Sequence, residues 1–255
     1  MRAGGHDLEV ARLDGTRPGP TLVLLHEGLG SVSLWKTFPE RLASMTGLPL
    51  LAYSRWGYGK SEAVTLPRPL SFMHDEARVL PELLDAAGIE EAILVGHSDG
   101  ASIALLHAAT GSPRIKGVVA MAPHVFVEEK CVVEIARLAR ELPGSDLERR
   151  LGRHHADVAG AFQGWAGAWL DPAFLAWDLT SLLPGVNAPV LVIQGDQDAY
   201  GTLAQVDAVC SGVSGPSDRL VLAGAGHSPH REREAETASA IAEWISARTA
   251  RREGW

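Results

Sequence analysis

Short, nearly continuous apolar runs recur along the chain, and most of them lead into a helical pattern. They are "PTLVLLHE" (20–27), "LPLLAYS" (48–54), "AILVGH" (92–97), "IKGVVAMA" (115–122), "APVLVIQG" (188–195) and "DRLVLAG" (218–224). A strand with one wet face alternates apolar and polar residues, whereas a strand buried on both faces is apolar throughout. The alternation of such runs with segments like "SFMHDEARVLPELLDAAG" therefore predicts an α/β fold: an open, mostly parallel sheet with helices on both faces. The rhythm breaks once. Residues 127–186 carry no strand-like run, and a structureless loop of that length would be unusual in a compact domain. A helical insertion is expected there, so that 1–126 and 187–255 form the core and 127–186 a helical cap.

Composition narrows the function classes. The 255 residues have a formal net charge of −8 and lack the basic footprint that nucleic-acid binding requires. Two cysteines, Cys131 and Cys210, lie too far apart for metal-ligand spacing and are expected as free thiols in a reducing compartment. No segment has the length and hydropathy of a signal peptide or membrane span, so a soluble, cytoplasmic protein without membrane contact is expected.

The candidate chemistry centres on "VGHSDGAS". In Gly96-His97-Ser98-Asp99-Gly100 a serine falls between an apolar strand and an apolar helix, with glycine two residues away on either side. A Gly-x-Ser-x-Gly turn of this kind presents the hydroxyl at the end of the sheet as a nucleophile. Such a serine needs a base and the base an orienting acid. His227, in "LAGAGHSPHRE" after the last run, is the expected base, with His230 its competitor. In "VIQGDQDAYG", Asp198 and Asp196 are both candidates for the acid. Asp198 is preferred because it lies further out on the loop, within reach of a histidine from the next strand. An oxyanion requires backbone donors. Asp99 N–H, directly after the nucleophile, is one; Gly28 N–H in His26-Glu27-Gly28-Leu29 is the other, with Leu29 the alternative.

"LLHEGLGS", "SRWGYGKS", "VGHSDGAS", "GDQD" and "GAGH", in this order, resemble the α/β-hydrolase superfamily over the whole chain, with the insertion where that superfamily carries its cap. Serine followed by Asp-Gly is similar to the valacyclovir-hydrolase-like branch of amino-acid-ester hydrolases; capped carbon–carbon bond hydrolases and carboxylesterases share the plan. The resemblance implies a serine hydrolase acting on a small-molecule ester through an acyl-enzyme. The rivals are a carbon–carbon bond hydrolase of a dienoic keto acid with the same triad, and a non-catalytic receptor on the same fold. Relatives show His-Gly where this chain has His26-Glu27, which places an extra carboxylate near the site. Asp99 adds another. Either the Asp99 carboxylate is neutralised by donors or a basic side chain, or it binds a substrate cation such as an α-amino group, with Glu27 adding to an acidic pocket.

Remaining features have structural readings. Trp165 and Trp169, on one helix face with Phe162, belong to a small helical core, and some of these rings are expected to roof a pocket. His26 and His97 are expected to hold loops. The loop Arg55-Trp56-Gly57-Tyr58-Gly59 lacks the ending of a phosphate loop. His154-His155 lack helical metal spacing and are assigned to a solvated face. No metal and no organic cofactor are expected.

Overall fold

Alternate residues of a strand point to opposite faces, and in the central strands both faces meet apolar layers. Val23 and Leu25 pack into one cluster, while Leu22 and Leu24 pack into the other. All four are fully buried, each contributing roughly 1.5–3 kcal/mol of burial free energy. The computed structural model describes residues 1–249. Strands β1 (Arg2–Ala3) and β2 (His6–Asp7) form a separate antiparallel hairpin. The main sheet contains β3 (Val10–Leu13), β4 (Thr21–Leu25), β5 (Leu50–Tyr53), β6 (Ala92–His97), β7 (Ile115–Met121), β8 (Val190–Gly195) and β9 (Ser217–Leu222). Its order is β3-β5-β4-β6-β7-β8-β9. Only β3 runs antiparallel to its neighbour.

Helices α1 (Phe38–Thr46), α2 (Phe72–Ala87) and α3 (Asp99–Ala108) follow the first strands of the sheet. Then come α4 (Glu129–Glu141), α5 (Asp146–Leu151), α6 (Val158–Trp169), α7 (Leu203–Gly212), α8 (Pro229–Glu232) and α9 (Glu234–Thr249). Phe38 and Leu42 of α1 join Ala238, Ile241 and Ile245 of α9 on one sheet face, and Leu80, Ile103 and Val206 of α2, α3 and α7 lie on the other.

The apolar runs thus form strands, with bounds that differ from the runs by up to two residues. The hairpin and β3 carry no comparable run. β3 is an edge strand with half its residues exposed, so burial imposes no continuous hydrophobic pattern on it. Between β7 and β8 the chain is helical: α4, α5 and α6 are followed by short 3-10 segments over Pro172–Ala176 and Thr180–Gly185. Asp157 caps α6 by accepting the Gly160 N–H at 2.8 Å. Phe162, Trp165 and Trp169 are all buried. No helix among the described residues is long and apolar enough to cross a membrane.

Candidate active site

β6 ends in a tight turn whose geometry depends on its local sequence. Ser98 has φ 52° and ψ −122°, an expensive conformation for a residue with a β-carbon. A β-carbon on Gly100 would lie 2.0 Å from the Leu25 carbonyl oxygen, and one on Gly96 would lie 2.4 Å from that of Gly100. Both glycines are therefore needed for β4, β6 and α3 to approach. The Ser98 N–H is tied to the Met121 carbonyl of β7 at 2.9 Å, which fixes the turn to its neighbouring strand. The helix α3 starts at Asp99 and directs its positive end toward the serine.

Loops from the two last strands complete the arrangement. Ser98 Oγ lies 2.9 Å from His227 Nε2, and His227 Nδ1 lies 2.8 and 2.9 Å from the two Asp198 oxygens. With Nδ1–H donating to the carboxylate, Nε2 is free to accept the Ser98 proton. Asp198 also accepts from Tyr200 N–H at 2.8 Å and from the Gln194 amide at 3.1 Å. Burial works against its charge, but the His227 hydrogen bond and the Tyr200 N–H hold its carboxyl below the usual range. Asp196 is exposed and accepts the Gly224 N–H at 2.8 Å, so it braces the β9 loop instead. His230 stands apart from Ser98, packed against Trp35, Phe38 and His97. Burial, then the nearby His97, depress its pKa well below that of an ordinary histidine.

Among the described residues the N–H groups of Gly28 and Asp99 find no protein acceptor, and both residues line the cavity at Ser98. Leu29 N–H is equally unpaired, so both candidates for the second oxyanion donor remain at the cavity. A β-carbon on Gly28 would lie 2.0 Å from the Trp165 indole nitrogen, so glycine is what allows α6 to close onto this loop. The loop is held from behind. The Glu27 carbonyl accepts from His26 Nδ1, Arg55 Nη2 and Gly30 N–H at 2.6, 3.0 and 3.0 Å. His26 Nε2 in turn accepts the Arg55 N–H at 2.9 Å.

The cavity has a volume of about 180 Å³. One wall is polar and comes from the strand-end loops. The other comes from Cys131, Ile135 and Leu138 of α4 with Trp165 and Trp169 of α6. Asp99 is 1% exposed. Its Oδ1 accepts from Trp169 Nε1 at 3.2 Å, and its Oδ2 faces the buried Arg55 guanidinium at 3.7 Å. Burial raises its pKa, with Arg55 and then the Trp169 N–H acting in the opposite sense. Of the two readings of Asp99, this geometry favours the neutralised one.

Several residues take places that the sequence did not announce. Glu27 does not stand free to bind a substrate cation: Arg231 Nη2 reaches its Oε1 at 3.0 Å, and His97 Nδ1 lies 3.4 Å from Oε2. His155 is not on a solvated face. It is buried in a turn, where Nδ1 accepts the Gly59 N–H and Nε2–H donates to the Leu29 carbonyl, each at 3.0 Å. Arg55, read as part of a structural loop, is the buried cation opposite Asp99. His124 and Tyr200 also line the cavity, and burial followed by the charge of His227 pushes the His124 pKa down to about 3. The i, i+4, i+7 spacing of Cys131, Ile135 and Leu138 was a readable signal for the apolar wall. Both cysteines are free, and no group of His, Cys, Asp or Glu among the described residues could hold a metal.

Residues 22–240 match the sequence pattern of the alpha/beta hydrolase family. The chain belongs to that family. It is 29% identical over 150 residues to epoxide hydrolase B of Mycobacterium tuberculosis, covering 58% of this chain but only 38% of that protein. It is 25% identical to 2-succinyl-6-hydroxy-2,4-cyclohexadiene-1-carboxylate synthase of Salmonella paratyphi A, covering 92% and 98% of the two chains. An esterase from Thermogutta terrifontis superimposes with a TM-score of 0.75 at 21% identity, covering 95% of this chain and 94% of that one. At that identity the likeness speaks for the fold.

Proposed function

We propose that this family member is a serine hydrolase that opens small carboxylic esters through an acyl-enzyme. In this reading Ser98 Oγ attacks the ester carbonyl as His227 Nε2 takes its proton. Asp198 steadies the resulting imidazolium, and the N–H groups of Asp99 and Gly28 bind the oxyanion. His227 then protonates the leaving alcohol as the carbon–oxygen bond breaks. A water, deprotonated by His227, releases the acid and restores Ser98. The hydrogen-bonded chain from Ser98 through His227 to Asp198 carries the reading. That these three groups are assembled also weighs against a non-catalytic receptor.

Substrate size and polarity follow from the walls. A cavity of about 180 Å³ with one apolar side suits a short, uncharged acyl group. The helices of 127–186 act as a cap that supplies this side. A dienoic keto acid would need a free cation in the cavity. Arg231, the arginine that lines it, is already paired with Glu27 and the Leu34 carbonyl, which favours the ester. In the test, Ser98→Ala loses turnover of p-nitrophenyl acetate by about 10⁴-fold or more while far-UV circular dichroism is unchanged. Near-wild-type turnover in the folded variant defeats the mechanism.

A further inference from the structure

The proposed chemistry needs two loops in register. One follows β4 and carries Gly28; the other follows β9 and carries His227. Their strands are not neighbours in the sheet, since β6, β7 and β8 lie between them, so backbone pairing does not set their spacing. The Glu27 side chain crosses the gap. Its backbone carbonyl is already fixed by three donors, and the carboxylate folds back so closely over its own turn that a β-carbon on Gly30 would lie 2.5 Å from Oε2. From this anchored position one oxygen takes the Arg231 guanidinium, four residues beyond His227, while the other lies 3.4 Å from His97 Nδ1 without a hydrogen bond between them. His97 then donates from Nε2–H to the backbone carbonyl of His227 at 2.7 Å.

We propose that Glu27 is a positioning residue that couples the oxyanion loop to the catalytic base, acting through Arg231 rather than through the substrate. The inference rests on the serine-hydrolase reading above. Its geometry explains how a carboxylate at the cavity avoids opposing the oxyanion: its charge is paired with the Arg231 guanidinium. Burial opposes ionisation of Glu27, but the neighbouring His97 and the Arg231 guanidinium hold its carboxyl well below the usual range. The side chain is only 17% exposed, so solvent does not readily replace these partners. Arg231 adds a second strap by donating to the Leu34 carbonyl at 3.0 Å, on the chain that continues from the Gly28 loop.

Small displacements of a base or an oxyanion donor cost about 10²-fold in rate, whereas substrate enclosure by the α4 and α6 wall does not depend on Glu27. Glu27→Gln is therefore expected to lower kcat for p-nitrophenyl acetate by about 10- to 100-fold with KM changed by less than about threefold. The rate of fluorophosphonate capture falls in parallel, and Glu27→Asp recovers part of both. Arg231→Gln gives a weaker defect of the same kind, and the double variant is no slower than Glu27→Gln alone. A residue that only stabilises the fold lowers Tm but leaves the kcat of the folded, titrated fraction unchanged, and that result overturns the coupling. Additive losses in the double variant overturn it as well. Wild-type protein that resists fluorophosphonate overturns the hydrolase reading itself, which separates the two failures.

Discussion

The strand-end loops and the helices above them meet at one cavity but shape it by opposite means. Below, the reacting groups are held by backbone geometry or by a named partner: Ser98 by its turn, His227 by Asp198, Asp198 by Gln194 and Tyr200. Above, Cys131, Ile135, Leu138 and Trp165 offer surface rather than directed hydrogen bonds. Trp169 is the exception, because its indole N–H reaches down to Asp99. Under the proposed function, reaction type and substrate choice reside in different layers. Changes below should fall on kcat, and changes above on KM.

The sharpest way to break this contrast is at the base and its acid. His227→Ala and Asp198→Asn are each expected to lower kcat by about 10³- to 10⁴-fold, while Asp196→Asn stays within about threefold of wild type. Steady-state kinetics on p-nitrophenyl acetate checks this, and a severe defect in Asp196→Asn would place the acid on the wrong side of the loop. A smaller effect belongs to the apolar wall. Ile135→Ala is expected to raise KM for p-nitrophenyl butyrate about 5- to 10-fold, since truncating a contacting aliphatic side chain removes about 1 kcal/mol or more of apolar contact. A loss confined to kcat would move this residue into the lower layer.

Asp99 sharpens the boundary, because it belongs to the lower layer by its N–H and to the upper by its Trp169 contact. With its carboxylate met by Arg55, an aminoacyl ester and its matched uncharged acyl ester are expected to show kcat/KM values within about threefold. A preference of tenfold or more for the amine, abolished in Asp99→Asn, would restore a cation-binding role. The smallest effect is on stability. The Glu27 carboxyl lies below its unfolded value, so its contribution is complete above about pH 5 and fades as acid approaches the lower folded pKa. The Tm gap between wild type and Glu27→Gln should therefore be open at neutral pH and begin to narrow only below about pH 4, continuing to narrow with further acid; a gap that widens in acid contradicts the sign.

Much of the lower layer was legible in the sequence because it is local. Buried parallel strands must be apolar throughout, and the turn at Ser98 needs glycine at 96 and 100 for reasons of close approach. The spacing of Asp198 and His227 after their strands placed both near the serine. What escaped was set by contacts between distant segments. Nothing around Arg55 tells that it is buried opposite Asp99, and nothing in His154-His155 tells that only the second closes over Leu29. β3 escaped for a different reason, since an exposed edge strand needs no hydrophobic run. The β1–β2 hairpin did leave a sign in Gly4-Gly5, both with positive φ, in the two-residue turn.

The central claim is that Ser98 is the activated nucleophile. Incubation with a fluorophosphonate, followed by peptide mass spectrometry and residual-activity assay, tests it most directly. The expected result is one label per chain on the peptide containing Ser98, with esterase activity lost in proportion and no label in Ser98→Ala or His227→Ala. Full activity after prolonged exposure, or a label on another residue that accounts for the loss, would contradict it.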